Sequence, residues 1–325
     1  MSTFLEFEKP VADLTAKIIE LKAVAEGADD GEPAVNIDKQ VEELESKIDD
    51  LLKSTYEKLS PWQKAQVARH QDRPHFQELS AQLFNEYVPL SGDRSFADDT
   101  AILGGIACFR EQSVIVIGHE KGRDTEGRIH HNFGMSRPEG YRKAMRLMRL
   151  AEQFNLPVLT FIDTPGAYPG VGAEERGQAE AIARSTELCL ELSVPIIATI
   201  VGEGGSGGAV ALAAGNRVLM LEHAIYSVIS PEGCASILWR TAEKAKDAAS
   251  ALKITAQDLI ELGIIDKIVE EPLGGAHRDP SLAIKRLGDE IFDELTGLIR
   301  MPPAELKHQR NERFLAIGAA FQQAS

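Results

Sequence analysis

The segment from Pro195 to Ala214 reads PIIATIVGEGGSGGAVALAA. Ile196 to Val201, apolar or β-branched throughout, follow a proline and predict a buried strand. Five glycines then occupy seven positions, Gly202 to Gly208. Such a run permits φ > 0 and lets the backbone approach another group closely. Ala209 to Ala214 predict a short helix. The unpaired amides where a helix starts can face a developing negative charge.

Three chemical patterns overlap in this run. Gly202, Gly204 and Gly207 spell a dinucleotide fingerprint, with Glu222 where a ribose-binding acid would stand. Against it, Gly215-Asn216 stops the following helix too early for a mononucleotide-binding βαβ unit. Gly204-x-Ser206-x-Gly208 also spells a nucleophile elbow, and Asp266 and His277 follow in hydrolase order. The third pattern is a backbone oxyanion hole that needs no nucleophilic side chain.

A chain of 325 residues with 43% apolar content can bury a large core and predicts one main domain with appendages. Its apolar runs fall short of the roughly 18–20 residues a membrane span needs. The acidic opening segment, Met1 to Glu8, does not resemble a signal peptide. Cys108, Cys189 and Cys234 are widely spaced and suggest neither a disulfide framework nor a zinc site. A cytoplasmic, reduced protein is the expectation. The net charge of −15 argues against broad nucleic-acid binding. It is unevenly spread: residues 1–60 hold fifteen acids and seven bases, whereas residues 119–149 hold eight bases and four acids. That basic segment would attract an anionic substrate carrying phosphates, although a solvated charged surface has the same composition.

Leu14, Ile18 and Leu21, then Ile37, Val41, Leu44, Ile48 and Leu51, repeat at helical spacing on either side of the breaker-rich Gly27–Pro33. The pattern predicts an antiparallel helical arm over residues 1–60. Helices are expected through Arg69 and from His75 to Tyr87. Strands follow at Ala101–Phe109 and Ser113–Gly118, then a loop from His119 to Met135 and a helix from Pro138 to Phe154. Strand Pro157–Ile162, a proline- and glycine-rich loop Asp163–Gly172 and a helix Ala173–Leu192 lead into the glycine segment. Strands Arg217–Leu221, Ile225–Ile229 and Ile264–Val269 and a helix Leu282–Ile299 complete a main domain over 61–298. A terminal helix is expected in 299–325. The alternation of strand and helix predicts an α/β sheet of mostly parallel strands.

Asp163-Thr-Pro-Gly166 has the form of a GTPase magnesium segment, but no phosphate-binding Gly-x-x-x-x-Gly-Lys-Ser/Thr precedes it. His119, His130, His131 and His223 lack the spacing of metal ligands.

Four long runs carry a specific resemblance. Phe161–Gly177, Gly202–Gly208, Tyr226–Trp239 and Glu271–His277, with Asn132–Met135 and Pro138–Lys143, resemble the carboxyltransferase α-subunit family of bacterial acetyl-CoA carboxylase. The resemblance implies a crotonase-like fold, a spiral of strand–strand–helix units with an N-terminal helical arm. It implies transfer of carboxyl from carboxybiotin, held on a biotin carboxyl carrier protein, to acetyl-CoA, giving malonyl-CoA for fatty acid synthesis. The implied assembly is an α2β2 tetramer with a zinc-bearing β subunit. No metal is expected in this chain, and ATP is used only by a biotin carboxylase partner. The resemblance assigns the oxyanion amides to Gly204 and Gly205. It places the biotin moiety along Gly166, Ala167, Tyr168, Pro169, Gly170, Val171, Gly207 and Gly208. Lys121, Arg123, Arg128, Arg137 and Arg142 of the basic segment are the candidates for CoA phosphates. The alternatives are a serine hydrolase using Ser206, Asp266 and His277, and a non-catalytic scaffold.

Overall fold

The computed structural model describes residues 3–27 and 35–318. Most of the breaker-rich segment predicted between the two arm helices lies outside the described residues. Helices α1 (Lys9–Gly27) and α2 (Val35–Tyr56) pack side by side. Val11 near the start of α1 meets Leu52 and Tyr56 near the end of α2, so the pair is antiparallel as expected. Val67 of α3 (Pro61–Ala68) joins this cluster and ties the arm to the body. The Ser60 hydroxyl caps α3 by accepting from the Gln63 amide, and Pro61 takes the first helical position, where its missing N–H costs nothing.

The helix expected from His75 to Tyr87 is shorter, and its end is a strand. Helix α4 spans Phe76–Leu83, and Phe84 is already extended. Strand β1 (Asn85–Pro89) then lies at the sheet edge, where Pro89 is tolerated because its missing donor faces no neighbour. β2 (Ile102–Phe109) and β3 (Gln112–His119) form the predicted hairpin. Arg110 and Glu111 turn it, both at positive φ, as a two-residue hairpin turn of the inverse type demands. The expected loop after β3 contains a short helix, α5 (Thr125–His130), capped by the Asp124 carboxylate. Helix α6 (Pro138–Phe154) and strand β4 (Val158–Thr164) follow; every residue of β4 is buried. The single helix expected over Ala173–Leu192 is broken into α7 (Val171–Glu175) and α8 (Gln178–Glu191), because Gly177 takes φ 81° between them.

Strand β5 (Ile196–Gly205) runs four residues beyond its expected end, and α9 (Ser206–Ala213) starts at once. Next come β6 (Arg217–Leu221), β7 (Ile225–Ser227), α10 (Pro231–Trp239), α11 (Ala245–Ala251) and α12 (Ala256–Glu261). β8 (Lys267–Val269), α13 (Pro280–Ile299) and α14 (Pro303–Ala316) complete the described chain. Strands β7 and β8 are shorter than the sequence suggested.

Among the described residues the strands make one sheet in the order β1-β2-β3-β4-β5-β6-β8. β1, β2 and β3 pair antiparallel, and the rest are parallel. At β5 the sheet divides. Its first half, Ile197 to Ile200, pairs with β6, and its glycine half, Glu203 to Gly205, pairs with β7. Two successive strands followed by a helix recur as β6-β7-α10 and, with the short α5 interposed, as β2-β3-α6. The principal core packs α4, α6, α8, α9 and α13 onto the sheet. Helix α14 docks on it through Leu306 and the fully buried Arg310. Arg310 donates to the carbonyls of Cys189, Leu192 and Val194, each at 2.7 Å, closing the C-terminal end of α8.

Candidate functional site

The glycine run is explained by closeness of approach and not by unusual dihedrals. None of its five glycines has positive φ; the residue in the left-handed region is Ser206, at φ 52°. A Cβ on Gly205 would run into the Pro165 carbonyl, and one on Gly204 would stand 2.9 Å from the Tyr226 ring. A Cβ on Gly208 would lie 2.8 Å from the Gly166 carbonyl carbon, 2.9 Å from the Ala167 nitrogen and 3.1 Å from the Tyr141 hydroxyl. The start of α9 and the turn after β4 are therefore pressed backbone to backbone. Gly207 alone has ordinary space, its nearest neighbour being Ile182 at 3.4 Å.

This contact brings two of the sequence-derived groups together, Gly166–Ala167 and Gly207–Gly208. Gly204 and Gly205 are placed differently from a free loop. Both belong to β5: Gly204 pairs with Thr164 on one side and Tyr226 on the other, and Gly205 pairs with Ser227. Pro165 has no N–H to give, so the Thr164–Gly204 bridge is closed by the Gly205 amide. The next amides along are those of the first turn of α9, which have no intrahelical acceptor. Among the described residues the Ala167 amide has no hydrogen-bond acceptor, and Gly207 and Gly208 supply amides of that first turn. The Ala167 amide thus lies where the turn meets Gly208, next to the partial positive charge of a helix N-terminus.

The rest of the turn is held in shape. Gly166 takes φ 147° and its carbonyl accepts from the Thr164 hydroxyl at 2.8 Å. The Tyr168 amide donates to Ser136, and the Tyr168 carbonyl accepts from Gln178 at 3.0 Å. Gly170 lies against the Tyr168 ring, while Pro169 and Val171 are exposed. Tyr141 of α6 is fully buried. Its hydroxyl has no partner among the described residues and faces Gly208. Nothing in its spacing distinguishes it from a packing residue.

The five basic candidates separate. Arg142 bonds Asp93, Glu139 and the Arg176 carbonyl, and is a structural brace. Arg123 is exposed and paired with Glu78. The Arg137 guanidinium covers the Tyr168 ring at 4.6 Å, so it borders the turn. Arg128 lines a cleft of about 240 Å³ with Arg69, His70, His75, Lys121, Phe133 and Glu203, and has no carboxylate partner among the described residues. Lys121 lies in the wall of that cleft and is committed to Asp163 at 2.7 Å and Glu203 at 3.5 Å. Glu203 continues to Arg69 at 2.7 Å, and Arg69 to Glu232 at 2.6 Å. Burial alone would raise the Asp163 carboxyl, but Lys121 and the bond to His75 outweigh it and hold the group well below the usual carboxylate range. Lys121 is likewise kept charged: burial opposes this, and Asp163 and Glu203 prevail.

The serine-hydrolase trio is not assembled. Asp266 accepts from Arg313 and from the Val218 amide. His277 is stacked on His70, ring centroids 3.9 Å apart, and burial pushes it down to about 2. A base so reluctant to take a proton, bonded to neither Ser206 nor Asp266, cannot activate the serine. Among the described residues no cluster of three or more His, Cys, Asp or Glu could hold a metal ion, and no helix is long and apolar enough to cross a membrane.

A family model described as acetyl co-enzyme A carboxylase carboxyltransferase-like matches residues 4–318. The chain belongs to this family. Its activity class is carboxyl transfer, and the hydrolase alternative falls away. Among related proteins, one from Erythrobacter litoralis (strain HTCC2594) is 62% identical over 98% of this chain and 100% of its own length. Another, from Caulobacter vibrioides (strain NA1000 / CB15N), is 62% identical over 98% of each chain. Both are named acetyl-coenzyme A carboxylase carboxyl transferase subunit alpha. Solved carboxyltransferase structures share the fold at low identity. Transcarboxylase 12S aligns with a TM-score of 0.53 at 20% identity, over 66% of this chain and 41% of that one. The geranyl-CoA carboxylase beta subunit of P. aeruginosa gives 0.55 at 17%, over 75% and 46%. The crotonase-like architecture implied by the sequence is thus the one this carboxyltransferase family member adopts.

Proposed function

We propose that this chain is the α half of a carboxyltransferase that moves a carboxyl group from carboxybiotin to acetyl-CoA, giving malonyl-CoA, the first committed step of fatty acid synthesis. The observation that supports the site assignment is the close approach of the Gly166–Ala167 turn to the start of α9, which sets the acceptor-free Ala167 amide beside the first turn of a helix. Carboxybiotin, when bound, supplies an activated carboxyl group whose departure leaves negative charge on the ureido oxygen. The chain's contribution is to hold that charge with fixed donors in a partly dry setting, each such donor being worth roughly 3–4 kcal/mol. We assign this role to Ala167, Gly207 and Gly208. Gly204 and Gly205, the pair the resemblance assigned, instead set the position of α9 from within β5. Tyr168, Pro169, Gly170 and Val171 border the entrance for the biotin moiety. Arg128 and Arg137 are the basic residues best placed to meet CoA phosphates, because Lys121, Arg123 and Arg142 are already paired.

In this reading the chain works in the cytoplasm as an α2β2 tetramer with a zinc-bearing β subunit. The carboxyl arrives on a biotin carboxyl carrier protein, loaded by an ATP-using biotin carboxylase. The arm, residues 1–60, serves assembly; residues 61–298 carry the site, and the docked helix Pro303–Ala316 follows. The test is purification of the chain alone and with a β subunit, followed by malonyl-CoA formation from acetyl-CoA and carboxybiotin. Activity only in the paired sample is expected; equal activity in the chain alone would refute the shared-site reading.

A further inference from the structure

The step between β4 and β5 just before the glycine run is irregular. The two strands pair in register from Val158–Ile196 to Ile162–Ile200, and the next pair is Thr164–Gly204. β5 therefore carries two extra residues across the shift, which leaves backbone groups between Ile200 and Gly204 without ladder partners. Two buried charged side chains take the place of the lost acceptor and donor. The Val201 carbonyl accepts from Arg73 at 2.8 Å, and the Glu203 amide donates to Asp163 Oδ1 at 2.9 Å. Gly202 stands between them, and its missing Cβ is what admits the Asp163 carboxylate: a methyl there would lie 2.8 Å from the carboxyl carbon. Asp163 is itself fixed by Lys121 and His75. The bulge is also the point at which β5 leaves β6 and joins β7, so its shape sets the direction of Gly204 to Gly208.

Resting on the carboxyl-transfer reading above, we propose that Asp163 is a positioning residue for the reaction: its carboxylate fixes the bulge in β5 and thereby aims the amides at the start of α9. Asp163 does not reach the reacting atoms in this account. It acts through Glu203, and it acts on rate more than on binding, because a displacement of about 1 Å at a catalytic donor can cost on the order of a hundredfold.

The experiment compares Asp163→Ala, Asp163→Asn and Gly208→Ala in the chain assembled with its β subunit. Readouts are kcat and KM for acetyl-CoA per assembled complex, and amide hydrogen exchange of peptides covering Val201–Ser206. Asp163→Ala is expected to lower kcat by about a hundredfold, to change KM less than about threefold, and to speed exchange at Glu203 at least about tenfold. Asp163→Asn keeps an acceptor oxygen but loses the negative charge that faces Lys121, so a kcat between those of the parent and Asp163→Ala is expected, and it carries the test if the alanine variant does not assemble. A folded Asp163→Ala or Asp163→Asn complex with unaltered kcat overturns the proposal. If Gly208→Ala lowers kcat while both Asp163 variants do not, only the positioning role fails. If Gly208→Ala is also without effect, the donor reading fails and the proposal with it.

Discussion

Adding one methyl group at successive glycines gives a graded test of the site. At Gly208 the new carbon would lie 2.8–3.1 Å from Gly166, Ala167 and the Tyr141 hydroxyl, where ordinary contacts begin near 3.4 Å. The turn and the helix start must move apart by several tenths of an ångström, because two of these three neighbours are backbone. None of the glycines in the run needs positive φ, so alanine carries no dihedral penalty and the displacement is the whole effect. Losing the alignment of one oxyanion donor costs about 10²–10³ in kcat, roughly 2.7–4 kcal/mol. Gly208→Ala should therefore lower kcat by about a hundredfold or more. Gly205→Ala should do at least as much, since its methyl meets the Pro165 carbonyl. Gly204→Ala should cost less, because the Tyr226 ring edge can yield, and Gly207→Ala least, with Ile182 already at contact distance. Ser206→Ala removes an exposed hydroxyl and leaves every amide in place, so it should cost less than about tenfold. The assay is steady-state malonyl-CoA formation by each assembled complex, with folding checked by thermal unfolding. Near-complete loss in Ser206→Ala beside an active Gly208→Ala would refute the backbone mechanism.

Three further outcomes follow from the same geometry. Arg310→Met keeps volume but deprives the carbonyls of Cys189, Leu192 and Val194 of their donor; at about 1–3 kcal/mol per stranded acceptor, denaturant unfolding should show a loss of at least about 3 kcal/mol, and a loss below about 1 would contradict this. Burial alone would raise the Glu271 carboxyl, yet Arg73 at 2.8 Å lowers it from 4.5 to about 2, so its contribution is complete above pH 4.5 and is lost as pH falls towards 2. Glu271→Gln should lose stability near neutral pH and show a flatter acid dependence in that window; an acid dependence identical to the parent's would contradict the assignment. Charge reversal at Arg128 should raise the acetyl-CoA KM at least about threefold at low salt and less at high salt, whereas reversal at Arg142 should lower stability through Asp93 and Glu139; unchanged KM and salt response at Arg128 would mark it as solvated surface.

The α/β alternation, the antiparallel arm and the hairpin were legible because apolar periodicity reports burial directly. What the sequence hid were matters of distance. The start of β1, Asn85–Tyr87, reads as the end of a helix because Phe84 and Tyr87 continue the apolar spacing of α4, and only pairing with β2 makes that stretch extended. The glycines announced a close approach, but not which backbone they approach. The distinction between Gly204–Gly205, paired in β5, and Gly207–Gly208, in the first turn of α9, depends on a bulge that no local pattern reveals. Asp163 resembled a loop residue of a nucleotide-binding motif, and its bond to the Glu203 amide appears only when β4 and β5 lie side by side. The basic segment was legible as charge, while its division into braces and free cations required the carboxylates of Asp93, Glu78 and Asp163, which come from elsewhere in the chain.

The central claim is geometric, and a crystal structure of the αβ complex with biotin tests it most directly. The account predicts the ureido oxygen about 2.7–3.1 Å from the Ala167 nitrogen and from the nitrogen of Gly207 or Gly208. A ureido group turned to the Ser206 hydroxyl, or seated in the cleft lined by Arg69 and Arg128 with those amides still unpaired, would contradict it.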